Sequence, residues 1–305
     1  MNSFIKKIVG FLFFSLVFYF VMIPLWKNIT PVYMQPNLKY QIGSFGHMFS
    51  RIQEVKKQKG DVDILFLGSS HSYRGFDPRN FKEKKTFNLG SNSQTPIQTK
   101  ILLERYLEKV NPRLIIYEVY PGTFSSDGVE SSMDLISNDK NDVRSLKMAF
   151  QLNNIKTYNT LVYAKYADFF NWNKDFKEPI KKSKDTYISG GFVEMKHLTN
   201  TIHKFSNKEW HFKDNQVKAF NECIAFLKKK KIKVILVYAP ITKGLYQSYS
   251  NNDFVDHFFS QYQLEYYNFN RLTKLNDTLD FYDSHHLNTI GVKKFNKILL
   301  NTLKL

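Results

Sequence analysis

Two short segments carry residue types that could do chemistry together. The first is Gly68-Ser69-Ser70-His71-Ser72, which directly follows an apolar run. The second is Asp283-Ser284-His285-His286-Leu287-Asn288, with Gly291 shortly after it. A serine hydroxyl is a poor nucleophile at neutral pH and needs an adjacent base. A histidine supplies that base when a carboxylate fixes its tautomer and stabilises its cationic form. Aspartate three residues before histidine offers both on one turn, and a serine closing a buried strand is held at a sheet edge, exposed and hardly mobile. Each segment alone has a plainer reading. Gly-Ser-Ser is common in turns, and Asp-x-x-His also describes a helix cap beside a surface histidine. Asp283, His285 and His286 could also approach a metal, but no further ligand stands at a recognisable spacing. At opposite ends of one α/β pattern, the two segments together favour a Ser-His-Asp arrangement of Ser70, His286 and Asp283.

The elements that must position them can be read from apolar periodicity. Residues 61–68 form a short apolar run ending in Gly-Ser-Ser, a buried strand entering a tight turn. Residues 86–90 give a second strand. A helix follows, with Ile97, Ile101, Leu102, Tyr106 and Val110 on one side, and Asn111-Pro112 stops it. Residues 114–119 are a third strand, closed by Pro121-Gly122. The rhythm resumes with a helix over 215–230, strands over 234–238 and 265–269, and a closing helix over 289–303 that buries Val292, Phe295, Leu299 and Leu303. Such alternation implies a parallel sheet covered on both faces. Residues 123–213 break the rhythm and read as a mainly helical insertion on the carboxyl-end side of the sheet, with a helical patch over 144–170. Its aromatics (Tyr158, Tyr163, Tyr166, Phe169, Phe170 and Trp172) read as a small core of their own. Arg74, Lys100 and the run Lys228–Lys231 read as solvated helix residues.

At 305 residues, with 43% hydrophobic and 16% aromatic side chains, the chain can bury a full core, and its composition is not that of a disordered protein. Lys and Arg total 44 against 27 Asp and Glu, a formal charge of +17, yet only Arg51, Arg74, Arg79, Arg105, Arg113, Arg144 and Arg271 are arginines. Without arginine forks or a binding motif, no nucleic-acid partner is expected. A basic surface suits attraction to anionic lipid or envelope polymer, and also follows from a plain compositional bias. Cys223 is the single cysteine, which excludes an internal disulfide and a multi-cysteine metal site. It sits on the apolar side of the 215–230 helix, as a buried thiol would.

Residues 8–26 are nineteen consecutive uncharged residues. As a helix they would cover about 28 Å, close to the hydrocarbon core of a bilayer. A secretory signal has a shorter apolar region ending in small residues, whereas the first alanine here is Ala149. An uncleaved single-pass anchor is therefore expected, with Lys6 and Lys7 in the cytoplasm, Trp26 at the interface, and the chain after about Asn28 outside. The expected organisation is a tail and anchor over 1–28, a stalk and amphipathic lead-in over 29–60 broken by Pro31 and Pro36, and one domain over 61–305 that carries the insertion.

On Gly68-Ser69-Ser70 and Asp283-x-x-His286-Leu-Asn-x-x-Gly291 the chain resembles the SGNH (GDSL-like) hydrolase superfamily, over residues 61–122 and 215–305. The resemblance implies a flavodoxin-like three-layer α/β sandwich around a five-stranded parallel sheet. It implies Ser70 as nucleophile and one oxyanion donor, Asp283 as orienting carboxylate and His286 as base, with no cofactor and no metal. His285 would fit only the shorter Asp-x-His spacing of some relatives. Gly90, in Asn88-Leu-Gly-Ser-Asn92, is the implied second oxyanion donor. Two departures stand out. Ser69 occupies the place of a usual aspartate, and Tyr120-Pro121-Gly122 replaces the usual Gly-x-Asn-Asp after the third strand, whose asparagine donates to the oxyanion. Losing one such donor commonly costs roughly 10²–10³ in rate, so either Asn92 or a residue of the insertion supplies it, or the enzyme is slow on simple esters. With its anchor the chain is similar to envelope-modifying members, among them the D-alanyl transfer proteins of teichoic acids and the alginate O-acetylation proteins. Those work beside a multispanning membrane O-acyltransferase. The implied activity is that of a serine esterase or O-acyltransferase on an acylated envelope polysaccharide or glycolipid, outside the cytoplasmic membrane. The alternative is a non-catalytic, membrane-tethered scaffold or binding subunit of an envelope-modification complex.

Overall fold

The apolar runs of the sequence become the strands of one sheet. The computed structural model describes residues 2–43, 46–196 and 198–305; Ser44 and Phe45 of the lead-in and His197 of the insertion lie outside these. In chain order the strands are β1 (Ile64–Leu67), β2 (Thr86–Asn88), β3 (Leu114–Glu118), β4 (Lys181–Lys182), β5 (Asp185–Ile188), β6 (Phe192–Met195), β7 (Lys233–Tyr238) and β8 (Glu265–Asn268). The helices are α1 (Asn2–Ile29), α2 (Met48–Lys57), α3 (Ser70–Gly75), α4 (Pro96–Val110), α5 (Pro121–Ser125), α6 (Val129–Asn138), α7 (Val143–Leu152), α8 (Ile155–Phe169), α9 (Asp214–Lys229), α10 (Lys243–Gln247), α11 (Asn252–Ser260), α12 (Phe269–Leu272) and α13 (Thr289–Leu303).

The main sheet is parallel throughout, in the order β2-β1-β3-β7-β8, with Leu65 opposite both Phe87 and Ile115 and with Ile115 opposite Val234. This is the doubly wound, flavodoxin-like order, in which sites gather at the carboxyl ends of the strands. Side chains alternate between two apolar faces. Ile64, Phe66, Ile116 and Ile235 meet Phe76 and, from α13, Phe295 and Leu299. Leu65, Leu67, Ile115 and Leu236 meet Leu102 of α4, Phe220 and Leu227 of α9, and Ile52 and Val55 of α2. The amphipathic lead-in is thus built into one layer of the domain. Cys223 is buried in that layer, as its place in the sequence suggests.

The 123–213 segment departs from its reading in three respects. Besides helices α5–α8 it contains an antiparallel sheet, β4-β5-β6, that lies over α3 on the opposite side of the main sheet. The tip of its β5–β6 turn touches the main sheet, where the Asn88 N–H donates to the Gly190 carbonyl at 2.8 Å. Secondly, its aromatics do not form an enclosed core: Phe169 and Phe170 are exposed and Trp172 nearly half so, with Phe170 and Trp172 stacked on each other at 5.8 Å. Thirdly, it fixes Arg74. That residue is not solvated: it is buried and makes a bidentate pair with Asp185 of β5 at 2.8 and 2.7 Å. The helical part is fastened to α4 by Arg105, which reaches Asp139 at 2.8 Å and Asp142 at 2.7 Å.

Helix α1 is long and apolar enough to cross a membrane, with a mean hydropathy of 2.5 over its most apolar window. Its carboxyl-terminal third touches the domain through α8. Tyr19 hydrogen-bonds Asn159, Ile23 packs with Leu38 and Tyr163, and the Tyr163 hydroxyl donates to Asn28 Oδ1 at 2.8 Å.

The turn after β1 rests on a buried carboxyl group. Glu118, the last residue of β3, accepts the Ser69 N–H at 2.9 Å and the Ser69 hydroxyl at 2.8 Å, both on Oε2. Burial pushes its carboxyl up to about 7, although the two Ser69 donors and the Tyr120 N–H oppose the rise. A carboxyl group whose pKa is raised by folding favours the folded state below its unfolded value and loses that contribution as pH climbs through about 7. Glu118→Gln removes this titration while keeping the side chain's shape. Relative to wild type, the variant should gain stability by up to about 3 kcal/mol between pH 4 and pH 8. Urea unfolding followed by tryptophan fluorescence across that range would measure it; a difference that does not change with pH would overturn the assignment.

Candidate active site

Gly68 has φ of +129° and leads into Ser69, whose side chain caps α3 by accepting the His71 N–H at 3.3 Å. Ser70 is then the first helical residue, and its N–H has no acceptor among the described residues, as is usual for a first-turn donor. The strand therefore delivers Ser70 to the carboxyl edge of the sheet with its hydroxyl outward. Asn88, at the end of β2, ties that edge together: it accepts the Ser72 hydroxyl at 3.1 Å and the Gly90 N–H at 2.9 Å, and donates to the Ser72 carbonyl at 2.8 Å.

The facing loop comes from 216 residues further along the chain. His286 Nε2 lies 2.8 Å from Ser70 Oγ, and His286 Nδ1 lies 2.9 and 3.0 Å from the two Asp283 oxygens. Asp283 also accepts the N–H groups of His285 and His286, each at 2.8 Å. Burial disfavours the charged Asp283, but the His286 hydrogen bond and these two N–H donors together hold its carboxyl below the usual carboxylate range. An ionised Asp283 accepts from Nδ1–H, which leaves Nε2 as the acceptor for the Ser70 hydroxyl. Asn288 braces the loop from below. It caps α13 by accepting the Ile290 and Gly291 N–H groups at 3.0 Å and donates to the Leu198 and Leu279 carbonyls at 2.8 Å. Gly291 is needed for space, since a β-carbon there would sit 2.0 Å from the Asp280 carbonyl oxygen.

The His286 ring is held by stacking. Tyr282 lies nearly parallel to it at 5.5 Å and His71 at 5.1 Å. Arg74 stands 5.7 Å over Tyr282, so the Arg74–Asp185 pair bears on the base through one ring. His71 is itself buried, with Nδ1 at 3.1 Å from Ser69 Oγ. Burial, and next the neighbouring His286 and His285, press its pKa well below the ordinary value, so it stays neutral. His285 turns away from Ser70 to the Tyr120 hydroxyl at 3.3 Å, and burial brings its pKa down to about 4. The longer Asp-x-x-His spacing is therefore the one the geometry uses.

A cleft of about 350 Å³ opens over Ser70, lined also by His71, Asn92, Ser93, Tyr120, His285 and His286. Of the expected oxyanion donors, Ser70 and Asn92 line it. Gly90 does not, because its N–H is committed to Asn88. Gly90 is a glycine for steric reasons: a β-carbon would lie 2.9 Å from the Gly68 carbonyl oxygen and 3.0 Å from that of Ser69. The neighbouring Ser93 takes φ of +50°, unusual for a residue with a side chain, and like Asn92 its N–H has no acceptor among the described residues. Asn92 Nδ2 reaches Glu130 Oε1 at 3.3 Å. Sequence reasoning missed Ser93, His71, Tyr120 and Glu118. For Glu118 a signal existed, as it is the one charged residue closing an otherwise apolar strand. Among the described residues no group of three or more His, Cys, Asp and Glu side chains is arranged to hold a metal.

A scan of protein-family models finds no match to this sequence, and a search of curated proteins finds none. Among solved structures, a protein assigned as an acylhydrolase from Bacteroides fragilis NCTC 9343 is similar over 86% of this chain and 97% of its own, at 11% identity and a TM-score of 0.44. A GDSL-like lipase from Bacteroides thetaiotaomicron VPI-5482 is similar over 86% of this chain and 98% of its own, at 11% identity and a TM-score of 0.42. Likeness of that degree carries no argument about activity, which must be made from the geometry of Ser70, His286 and Asp283.

Proposed function

We propose that this chain is a membrane-anchored serine esterase or O-acyltransferase of SGNH type, acting on acyl esters of a cell-envelope glycan or glycolipid. The observation that carries the reading is the unbroken hydrogen-bond chain from Ser70 through His286 to Asp283, at 2.8 and 2.9 Å, opening on a cleft. In this reading Ser70 Oγ attacks the ester carbonyl while His286 Nε2 takes its proton, and Asp283 stabilises the imidazolium that forms. In this reading the N–H of Ser70, with those of Asn92 and Ser93, which line the same cleft, receives the developing oxyanion. The protonated His286 then returns its proton to the departing alcohol, leaving an acyl group on Ser70. Water or a sugar hydroxyl, deprotonated by His286 in turn, releases it. The expected partner in the transfer case is a multispanning membrane O-acyltransferase that supplies the acyl group.

The envelope assignment is supported by the apolar α1 and the charge of +17 on the whole chain, which suits an anionic polymer or lipid surface outside the cytoplasmic membrane. The scaffold alternative draws on one observation, the absence of an asparagine after β3, where Tyr120 stands instead. Against it, a subunit with no chemistry to perform has no need of a base 2.8 Å from an accessible serine.

Labelling of the full chain with a fluorophosphonate probe tests the reading. Wild type should be modified at Ser70, and Ser70→Ala and His286→Ala should lose labelling by at least about 10³-fold. A well-folded wild type that resists the probe, or labelling that survives in Ser70→Ala, would refute it. Asp283→Asn tests the third member separately. Because the amide oxygen is held by the His285 and His286 N–H groups, the amide NH2 faces Nδ1 and donates to it, which leaves the imidazole in the wrong tautomer, and the labelling rate should fall by about 10³–10⁴ while the fold persists. An unchanged rate would remove Asp283 from the mechanism.

A further inference from the structure

Because the five strands of the main sheet are parallel, every segment that enters a strand lies at one pole of the domain. Every segment that leaves one lies at the other, with Ser70 and His286. The entering segments, 56–63, 82–85, 108–113, 228–233 and 261–265, hold thirteen Lys and Arg against five Asp and Glu. That surplus of eight is nearly half of the chain's +17. The leaving segments, 68–81, 89–95, 119–128, 239–250 and 269–288, hold five of each sign. Taken alone, the 228–231 run is one solvated helix end; the sheet sets it among three other cationic runs. Contacts between neighbouring segments make them one surface. The Lys85 ammonium donates to the Lys59 carbonyl at 2.8 Å, and Arg113 lies 3.5 Å from Asp63. Lys230 and Lys233 reach Glu108 and Glu265 at 2.8 and 2.6 Å. Three of the five carboxylates are thereby neutralised, while Lys82, Lys84, Lys229 and Lys231 stay exposed. Helix dipoles account for little of this, since α2, α4 and α9 end here with roughly half a negative charge each. Among the described residues, no large apolar side chain is exposed in these segments, whereas a face that seats in lipid carries apolar and aromatic anchors.

We propose that this pole is a docking surface for a linear polyanion, a polymer with a phosphate or carboxylate in each repeat. Five strands at about 4.8 Å spacing make it roughly 19 Å wide. Six residue rises from Arg113 to Val119 put it about 20 Å from the cleft. A polymer held at one pole keeps its acyl esters within reach of the other, so docking raises the substrate concentration at Ser70 and leaves the cleft free. That consequence rests on the esterase or transferase reading given above; the docking itself does not.

The test uses the full chain in phosphatidylcholine nanodiscs, with fluorescein-labelled polyphosphate as the probe. Wild type should bind it, with an affinity that falls about 10-fold or more between about 50 mM and about 300 mM salt. Lys82→Glu, Lys84→Glu, Lys229→Glu and Lys231→Glu combined should weaken binding by at least about 10-fold, and the milder Lys82→Gln, Lys84→Gln pair by about threefold. The same charge change at Lys147, Lys174, Lys177 and Lys196, exposed lysines of the insertion, should weaken it by less than about threefold. Equal losses in the two fourfold variants would overturn the inference, because net charge alone would then explain binding. A fluorescent label on Lys84→Cys that is quenched by headgroup spin-labelled phosphatidylglycerol would also overturn it and assign the pole to the membrane. Fluorophosphonate labelling of Ser70, read on the same samples, should persist in the pole variants. A wild type that is labelled but does not bind polyphosphate refutes the docking surface and leaves the esterase reading standing. One that binds polyphosphate but resists the fluorophosphonate does the reverse.

Discussion

Where β1 ends, three backbones come together so closely that side chains cannot fit between them. A β-carbon on Gly68 would sit 2.6 Å from Glu118 Oε2, and one on Gly90 would sit 2.9 Å from the Gly68 carbonyl oxygen. The approach is what allows one carboxyl oxygen of Glu118 to accept both the N–H and the hydroxyl of Ser69. It also allows Asn88 to grip Ser72 and the Gly90 N–H together. A buried carboxyl group is costly unless it is paired or protonated, so its presence here marks a geometry that apolar packing alone would not hold. Ser70 is the first residue beyond this knot. Its freedom is set by Gly68, Ser69 and Glu118 before any partner on the other side of the cleft is considered.

The histidine side is braced independently. Asp283 closes its own turn through two N–H groups, Asn288 ties the loop to α13, and Gly291 lets that helix come up against the Asp280 carbonyl. The ring of His286 is then stacked with Tyr282 and His71, and Tyr282 carries Arg74 and its Asp185 partner. A buried ion pair adds little net stability, but it fixes orientation, and here it reaches from the β4–β6 sheet to the base. The insertion thus participates in positioning Ser70, His286 and Asp283, all three of which lie outside it. The two halves meet at the Ser70–His286 hydrogen bond and at the stacked rings of His71 and His286.

How much of this was legible in the sequence follows from the range of each interaction. The five parallel strands were readable because strands buried on both faces are continuous apolar runs, and α13 because its apolar spacing and its Asn288 cap are local. Ser70, His286 and Asp283 were readable because residue type and spacing are local too. The β4–β6 sheet was not. Lys181–Lys182 and Asp185–Ile188 show no apolar alternation, and their stability comes from packing on α3 rather than from their own pattern. Arg74 looked solvated because its partner lies 111 residues away. The donor role of Gly90 is implied by the resemblance alone, since a glycine in a loop signals close approach without saying whether its N–H or its missing side chain is what matters. Here it is the side chain.

Hydrolysis and transfer would use the same three side chains, so they differ in which hydroxyl reaches an acylated Ser70. Water needs no binding site, whereas a sugar hydroxyl must be held in position to compete. The arginines are poorly placed to do the holding. Arg51, Arg74 and Arg105 are buried, and Arg79, Arg113, Arg144 and Arg271 are paired with carboxylates. The positive field of the surface is carried mainly by lysines, which attract an anionic polymer from a distance but fix no geometry and are screened within roughly 10 Å by salt. Charge would thus raise the local concentration of the acceptor without orienting it. Orientation falls to the neutral groups that line the cleft, Tyr120, His285 and Asn92 above all, because burial keeps His285 uncharged and Tyr120 stands directly after β3 in the cleft wall. If the chain is a transferase, its choice of acceptor is made there.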